Sequence, residues 1–278
     1  MGSPSPYLTK LKAAQEKNNS WICIGLDPIP DKLPIQATHL WDEPVLPFTK
    51  AIIDATHDIA CAFKPNLGFY LRWGAAGMIA LERTIRYIPD EIPVIIDCKA
   101  GDIGHTQKAW ADGLLDQWNA DAFVTNPYVG KDAIVAAIED YPTKGIYVLT
   151  RTSNPSAGDF QGNFKDNSSL SRDVLANVKS WREEVTGEVG VVMGATYPTE
   201  LKLAREIDAD IPFLIPGIGS QGGDLETAVA CGKDSHCGPL ISASRSIIYA
   251  GRGYDFADEA RAAAIDLRDR INSVRGQA

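Results

Sequence analysis

A lysine placed between two carboxylates is the feature of this sequence with the clearest chemical meaning. Asp97, Lys99 and Asp102 form the pattern Asp-x-Lys-x-x-Asp within DCKAGD (97–102). Opposite charges within about 4 to 6 Å favour the protonated ammonium, whereas desolvation alone lowers the pKa of a lysine. Such a lysine can deliver a proton, but it is poorly suited to Schiff-base formation, which needs a neutral amine. The pattern therefore favours proton transfer over lysine aldolase chemistry.

A structural salt bridge is the ordinary interpretation of a single Asp-x-Lys pair. Two further charged residues, Asp27 and Lys64, end two other apolar segments of the chain. A charged side chain at the end of an apolar strand is unfavourable unless it is paired or used. Charges at the ends of three consecutive strands therefore favour a functional site.

The elements that must position these residues repeat one pattern eight times: an apolar run, a loop and a segment with helical periodicity. The predicted strands are 21–27, 60–66, 93–99, 122–126, 145–150, 190–196, 212–216 and 239–244. Segments with apolar residues every three or four positions predict helices around 7–17, 72–87, 104–118, 168–184 and 254–273.

Apolar strands alternating with amphipathic helices are typical of a parallel sheet covered by helices, and eight units predict a closed (β/α)8 TIM barrel, an α/β fold. An open doubly wound sheet is the alternative. Against it, no GxGxxG follows the first strand, and polar residues end strand after strand. We expect a lead-in helix within 1–20 and a single barrel domain over 21–278.

In a barrel the active site is built at the carboxyl ends of the strands. Asp27 ends the first predicted strand, Lys64 and Asn66 the second, and Asp97 and Lys99 the third. Because strand side chains alternate with a period of two, Asp97 and Lys99 should point to the same side. We therefore expect two lysines and three carboxylates to be candidates for one site.

Composition excludes several classes of partner. The formal net charge of −9 and the pI near 5.0 argue against a broad basic surface for nucleic acid or anionic lipid. No apolar run approaches the roughly 20 residues that span a bilayer, and MGSPSPYLTK lacks the apolar core of a signal peptide. We expect a cytoplasmic protein without nucleic-acid or membrane partners.

The five cysteines do not predict a metal site. Cys23, Cys61 and Cys98 fall in apolar runs, where free cysteine behaves as a small hydrophobe. Cys231 and Cys237 are close in sequence, but no CxxC pair or suitably spaced histidines accompany them. We interpret all five as structural thiols.

The motifs in chain order resemble those of the orotidine 5′-monophosphate decarboxylases, in particular their longer bacterial branch. DCKAGDIGHT (97–106) resembles the family signature, preceded by GLDP (25–28) and FKPN (63–66). The later matching segments are TSNPSA (152–157), PGIGSQGGD (216–224) and SASRSIIYA (242–250). The resemblance implies cofactor-independent decarboxylation of OMP to UMP, the last step of de novo pyrimidine biosynthesis.

The resemblance also implies roles for the charged residues. Lys99 would protonate C6 of the pyrimidine as the carboxylate leaves, and Asp97 would sit beside that carboxylate. Lys64 and Asp27 would bind the ribose hydroxyls and hold the charged network.

The remaining matched residues imply a dimer and a phosphate-binding site. Asp102 and Thr106 would reach into the neighbouring subunit's site, which implies a homodimer, and Ser153 would contact the pyrimidine. The other substrate-binding candidates, in the phosphate-loop segment and the last-strand motif, are Pro216, Gly217, Gln221, Ser244 and Arg245.

Two departures and two alternatives accompany this interpretation. Ala100 stands where many members of the longer branch carry Arg, and Ser244 stands where many carry Gly. A Mg²⁺-dependent sugar-phosphate decarboxylase or aldolase of the same superfamily is the first alternative. A catalytically silent barrel that serves as a binding module is the second.

Overall fold

Eight parallel strands arranged in a ring form the centre of the computed structural model, which describes residues 4–34, 43–162, 169–218, 222–234 and 236–276. The strands are β1 Ile22–Leu26, β2 Ala62–Pro65, β3 Ile95–Ala100, β4 Ala122–Thr125, β5 Gly145–Arg151, β6 Glu188–Met193, β7 Phe213–Pro216 and β8 Leu240–Ala243. All eight predicted strands are confirmed.

Two parallel β-bridges between β2 and β3 close the sheet into a barrel. The strand order is β2-β1-β8-β7-β6-β5-β4-β3, and every pairing within it is parallel. The parallel bridges Phe63 to Val94 and Asn66 to Asp97 then join β2 to β3. The predicted barrel is therefore confirmed, and the open doubly wound sheet is wrong.

One helix, α1 (Pro6–Lys17), precedes β1 and packs against the smaller of the two apolar clusters described below, and the other helices follow strands. They are α1 Pro6–Lys17, α2 Val45–Thr56, α3 Leu67–Leu71, α4 Gly74–Tyr87, α5 Gly104–Ala111, α6 Lys131–Ile138, α7 Gly158–Gln161, α8 Leu170–Arg182, α9 Pro198–Ile207, α10 Leu225–Gly232, α11 Arg245–Ile248 and α12 Phe256–Arg275. A π-helical segment, Asp112–Gln117, continues α5. Each of the five predicted helices is present, with ends within two residues of those predicted. No helix in the described ranges is long and apolar enough to cross a membrane.

The two faces of the strands pack into two separate apolar clusters. The larger joins residues such as Ile24, Phe63 and Phe123 to the surrounding helices. The smaller uses the opposite strand face, with Cys23 and Tyr147, and includes α1 side chains. Because successive strand residues point to opposite faces, this division is the one a barrel requires.

Cysteine positions mostly agree with the structural interpretation. All five cysteines are free, and Cys23 and Cys61 are fully buried. Cys98 is only half-buried, because it lies at the end of β3 beside the open rim, where its thiol donates to the Val124 carbonyl oxygen at 3.4 Å. Cys98 packs against the larger apolar cluster, so it lies at the edge of the core rather than inside it.

Candidate active site

Two lysines converge on one carboxylate at the carboxyl ends of β2 and β3. Lys64 Nζ lies 3.2 Å from Asp97 Oδ2, and Lys99 Nζ lies 2.6 Å from Asp97 Oδ1. Asn66 Nδ2 donates to Asp97 Oδ2 at 3.0 Å. Both oxygens of Asp97 are therefore engaged by groups from two strands.

The backbone of β3 is irregular where it carries this cluster. Ile96 pairs with Phe123, and Ala100 pairs with Thr125. An advance of four residues along β3 is therefore matched by an advance of only two residues along β4. Within this bulge Lys99 has φ +51, a conformation that side-chain-bearing residues rarely adopt. The predicted contact between Asp97 and Lys99 is confirmed, but a bulged strand makes it rather than regular alternation.

Burial and charge together keep the inner pair ionised. The side chains of Lys64 and Asp97 are 9% and 12% exposed, whereas that of Lys99 is 45% exposed. Burial alone would lower the pKa of Lys64, but attraction to Asp97 and Asp27 outweighs it and raises that pKa. Burial alone would raise the pKa of Asp97, but Lys64 and Lys99 hold it well below its usual value. Lys64 is therefore cationic and Asp97 anionic at neutral pH.

Asp27 contributes a buried carboxylate beside the cluster. Its Oδ1 atom has no hydrogen-bond partner among the described residues, and the same is true of Ser244 Oγ. A Cβ on Gly25 would lie 2.6 Å from Ser244 Cβ, so only glycine allows this approach of β1 to the residue after β8. Leaving a buried polar atom unsatisfied costs about 1 to 3 kcal/mol, which a bound ligand could offset.

A cavity of about 230 Å³ opens directly over the charged cluster. Its charged wall is formed by Lys64, Asp97 and Lys99, and its lining also includes Ser153 and Pro216. The apolar lining consists of Val124, Leu149, Val192 and Leu214. The structure therefore brings five of the predicted site residues to one enclosed space with a largely apolar floor.

Some residues around the site were given no role from the sequence, including Asn66, although it ends the second predicted strand. Asn66 bonds to Asp97, and Thr152 and Asn154 line the cavity on either side of Ser153. A signal for Asn66 was present, since it lies two positions after Lys64 at the same strand end. No local pattern marks the apolar floor residues, because apolar strand residues occur on both faces of the barrel.

Asp102 and Thr106 lie outside the charged cluster of their own chain. Asp102 Oδ1 accepts from the Ile103 amide at 2.8 Å, and Thr106 is exposed on the first turn of α5. Thr106 instead borders an apolar surface groove of about 360 Å³ with Trp110 and Trp118. Within one chain, only two of the three predicted carboxylates therefore lie beside the lysines.

The phosphate candidates lie at the ends of β7 and β8. Gly217 follows β7 with φ +104, a left-handed conformation that favours glycine. Ser244 lies between the end of β8 and the start of α11, and Arg245 is the exposed first residue of that helix. Gln221 lies outside the described residues.

A larger groove of about 730 Å³ opens at the other end of the barrel. It is bordered by α1, by residues that precede β1 and β8 and by the end of α12, and its charged side chains include Lys12, Glu16 and Arg275. Its charged side chains form no cluster comparable to that around Asp97, so we place the site in the smaller cavity.

Comparison with known proteins shows similarity to one enzyme family. The model of the orotidine 5′-phosphate decarboxylase / HUMPS family matches residues 21–262. The orotidine 5′-phosphate decarboxylase of Thermomicrobium roseum is 42% identical over 97% of this chain and 96% of its own, and that of Dechloromonas aromatica is 41% identical over 97% and 99%. The structure of Leishmania donovani OMP decarboxylase superposes with a TM-score of 0.83 at 32% identity, covering 99% of this chain and all of that one.

Proposed function

The chain belongs to the orotidine 5′-phosphate decarboxylase / HUMPS family and decarboxylates OMP; we propose that it does so without a cofactor, with Lys99 as the proton donor to C6. The contact of the Lys99 ammonium with Asp97, at the wall of a cavity with an apolar floor, is the observation that carries this proposal.

The chemistry requires a cation at the point where negative charge appears. Loss of CO2 leaves an electron pair on C6 that the pyrimidine ring delocalises poorly, so a positioned cation must stabilise it. At about 4 Å and an effective dielectric near 20, one pair of unit charges interacts by roughly 4 kcal/mol, about three powers of ten in rate. Lys99 supplies this charge and then its proton, which becomes the hydrogen on C6 of UMP.

Asp97 and Lys64 keep the proton donor in place. Asp97 accepts from Lys99 and so holds the ammonium at the cavity wall, while Lys64 balances the charge of the buried carboxylate. Two ammonium groups already lie against Asp97, and both would repel a divalent cation at the same carboxylate. This arrangement supports a reaction without a metal.

The rest of the cavity suits the other parts of OMP. Ser153 at the rim would contact the pyrimidine, and Lys64 with the unsatisfied Oδ1 of Asp27 would bind the ribose hydroxyls. The phosphate would be bound at the strand ends by Arg245, Gln221 and the amides near Gly217 and Ser244, next to Pro216.

Exposed apolar side chains next to Asp102 and Thr106 support a homodimer. Ile103 is 58% exposed and Tyr128 is 92% exposed, both in loops that follow neighbouring strands at the catalytic end. A second copy packed here would cover these side chains and bring Asp102 and Thr106 to its own cavity.

A direct assay tests the activity and its metal independence together. The ultraviolet absorbance should fall as purified protein with EDTA converts OMP to UMP. Conversion that appears only when Mg²⁺ is added back would refute the metal independence. No conversion by folded protein under either condition would favour the Mg²⁺-dependent sugar-phosphate chemistry or a silent barrel.

A further inference from the structure

The hydroxyl of Tyr249 ties the loop after β1 to the segment after β8. Tyr249 Oη accepts from the Ile29 amide at 2.6 Å and donates to the Asp27 carbonyl oxygen at 2.8 Å. Its ring stacks on Phe48, with centroids 5.7 Å apart and an interplanar angle of 9°. One side chain therefore engages the backbone on both sides of Pro28.

This tie holds the backbone on both sides of Pro28. Pro28 has no amide hydrogen, and the Asp27 carbonyl oxygen before it and the Ile29 amide after it both bond to Tyr249. The Asp27 side chain is buried, and its Oδ1 has no partner among the described residues. A shift of the backbone that Tyr249 holds would therefore move this carboxylate.

We propose that Tyr249 is a positioning residue that sets the Asp27 carboxylate for substrate binding and couples it to the segment that carries Ser244 and Arg245. The inference rests on the proposed function, in which Asp27 binds the ribose and the residues after β8 bind the phosphate. Burial raises the pKa of Tyr249 to about 12, so its hydroxyl remains a donor through the neutral range.

Tyr249→Phe tests the tie, because it removes the hydroxyl and keeps the ring that stacks on Phe48. We expect kcat/KM for OMP to fall about tenfold, mainly through KM, with a similar loss in the affinity for UMP. Tyr141→Phe is the matched control. It removes a hydroxyl that donates to Asp112 Oδ1 at 2.6 Å, where neither residue lines the cavity, and it should leave kcat/KM unchanged.

A double-mutant cycle separates positioning from general stabilisation. If Tyr249 acts through Asp27, Tyr249→Phe should reduce UMP affinity in the wild-type background but hardly further in the Asp27→Ala background. Independent, additive losses would overturn the inference, as would wild-type kinetics or a lost fold in Tyr249→Phe alone. Wild-type protein that fails to convert OMP would instead refute the proposed function, so the two failures are distinguishable.

Discussion

Lys99 contacts Asp97 at 2.6 Å from a backbone conformation that is unfavourable for a residue with a side chain, with φ +51. The bulge in β3 imposes this conformation at the residue that we propose as proton donor. Sparsely populated backbone conformations cost on the order of 1 to 3 kcal/mol and persist where the surrounding structure determines them. The strained backbone conformation at Lys99 therefore accompanies the position of its ammonium at the cavity wall.

The strain gives a stability prediction that is separate from activity. Lys99→Gly and Lys99→Ala both remove the ammonium, but only glycine adopts a positive φ without strain. We therefore expect the Gly variant to be more stable than the Ala variant by roughly 1 kcal/mol in denaturant unfolding. An Ala variant as stable as the Gly variant would show that the backbone there is not strained.

Lys99→Ala tests the proton donor directly. The variant should fold and elute like the wild type, yet its decarboxylation rate should fall by at least about three powers of ten, the value of one charge interaction. Lys12→Ala removes an exposed lysine at the other end of the barrel and should retain full activity. Substantial turnover by Lys99→Ala would contradict the assigned role.

Acid should weaken the fold through Asp97. The pKa of Asp97 is lowered in the folded protein, because Lys64 and Lys99 outweigh its burial. The unfolded chain therefore binds its proton first, at a pKa of about 3.9. The stabilisation is complete above about pH 4 and is lost as the pH falls below it.

Urea unfolding between about pH 5 and pH 2 measures this effect. The free energy of unfolding should decline less steeply in Asp97→Asn than in the wild type. Asp58→Asn is the comparison: its carboxylate also has a lowered pKa, from hydrogen bonds to Arg261, but is 51% exposed, so its change should be smaller. Equal slopes for wild type and Asp97→Asn would contradict the prediction.

A mixed dimer tests whether Asp102 serves the neighbouring site. In a heterodimer purified through two different tags, one chain carries Lys99→Ala and the other Asp102→Ala. If Asp102 acts across the interface, one of the two sites is intact, and about half of the wild-type activity should return.

The control for this experiment pairs Lys99→Ala with Asp97→Asn, which contact each other within one chain and should not complement. Failure of the first pair to recover activity, when the heterodimer itself has formed, would show that Asp102 acts in its own chain or not at all.

The sequence alone determined the barrel and most of the charged residues of the site. Strand and helix periodicity are local properties, so the eight strands could be predicted with their order along the chain. The carboxyl ends of parallel strands meet at one rim, which placed Asp27, Lys64, Asp97 and Lys99 together before any coordinates.

Only the tertiary structure decided how these residues are held. The bulge that turns Lys99 depends on pairing with β4, and the bond from Asn66 to Asp97 depends on closure between β2 and β3. The tie from Tyr249 joins residues more than two hundred positions apart, a separation at which no local pattern operates. Periodicity specifies which face a side chain occupies, whereas contacts at a few ångströms follow from the packing of the whole chain.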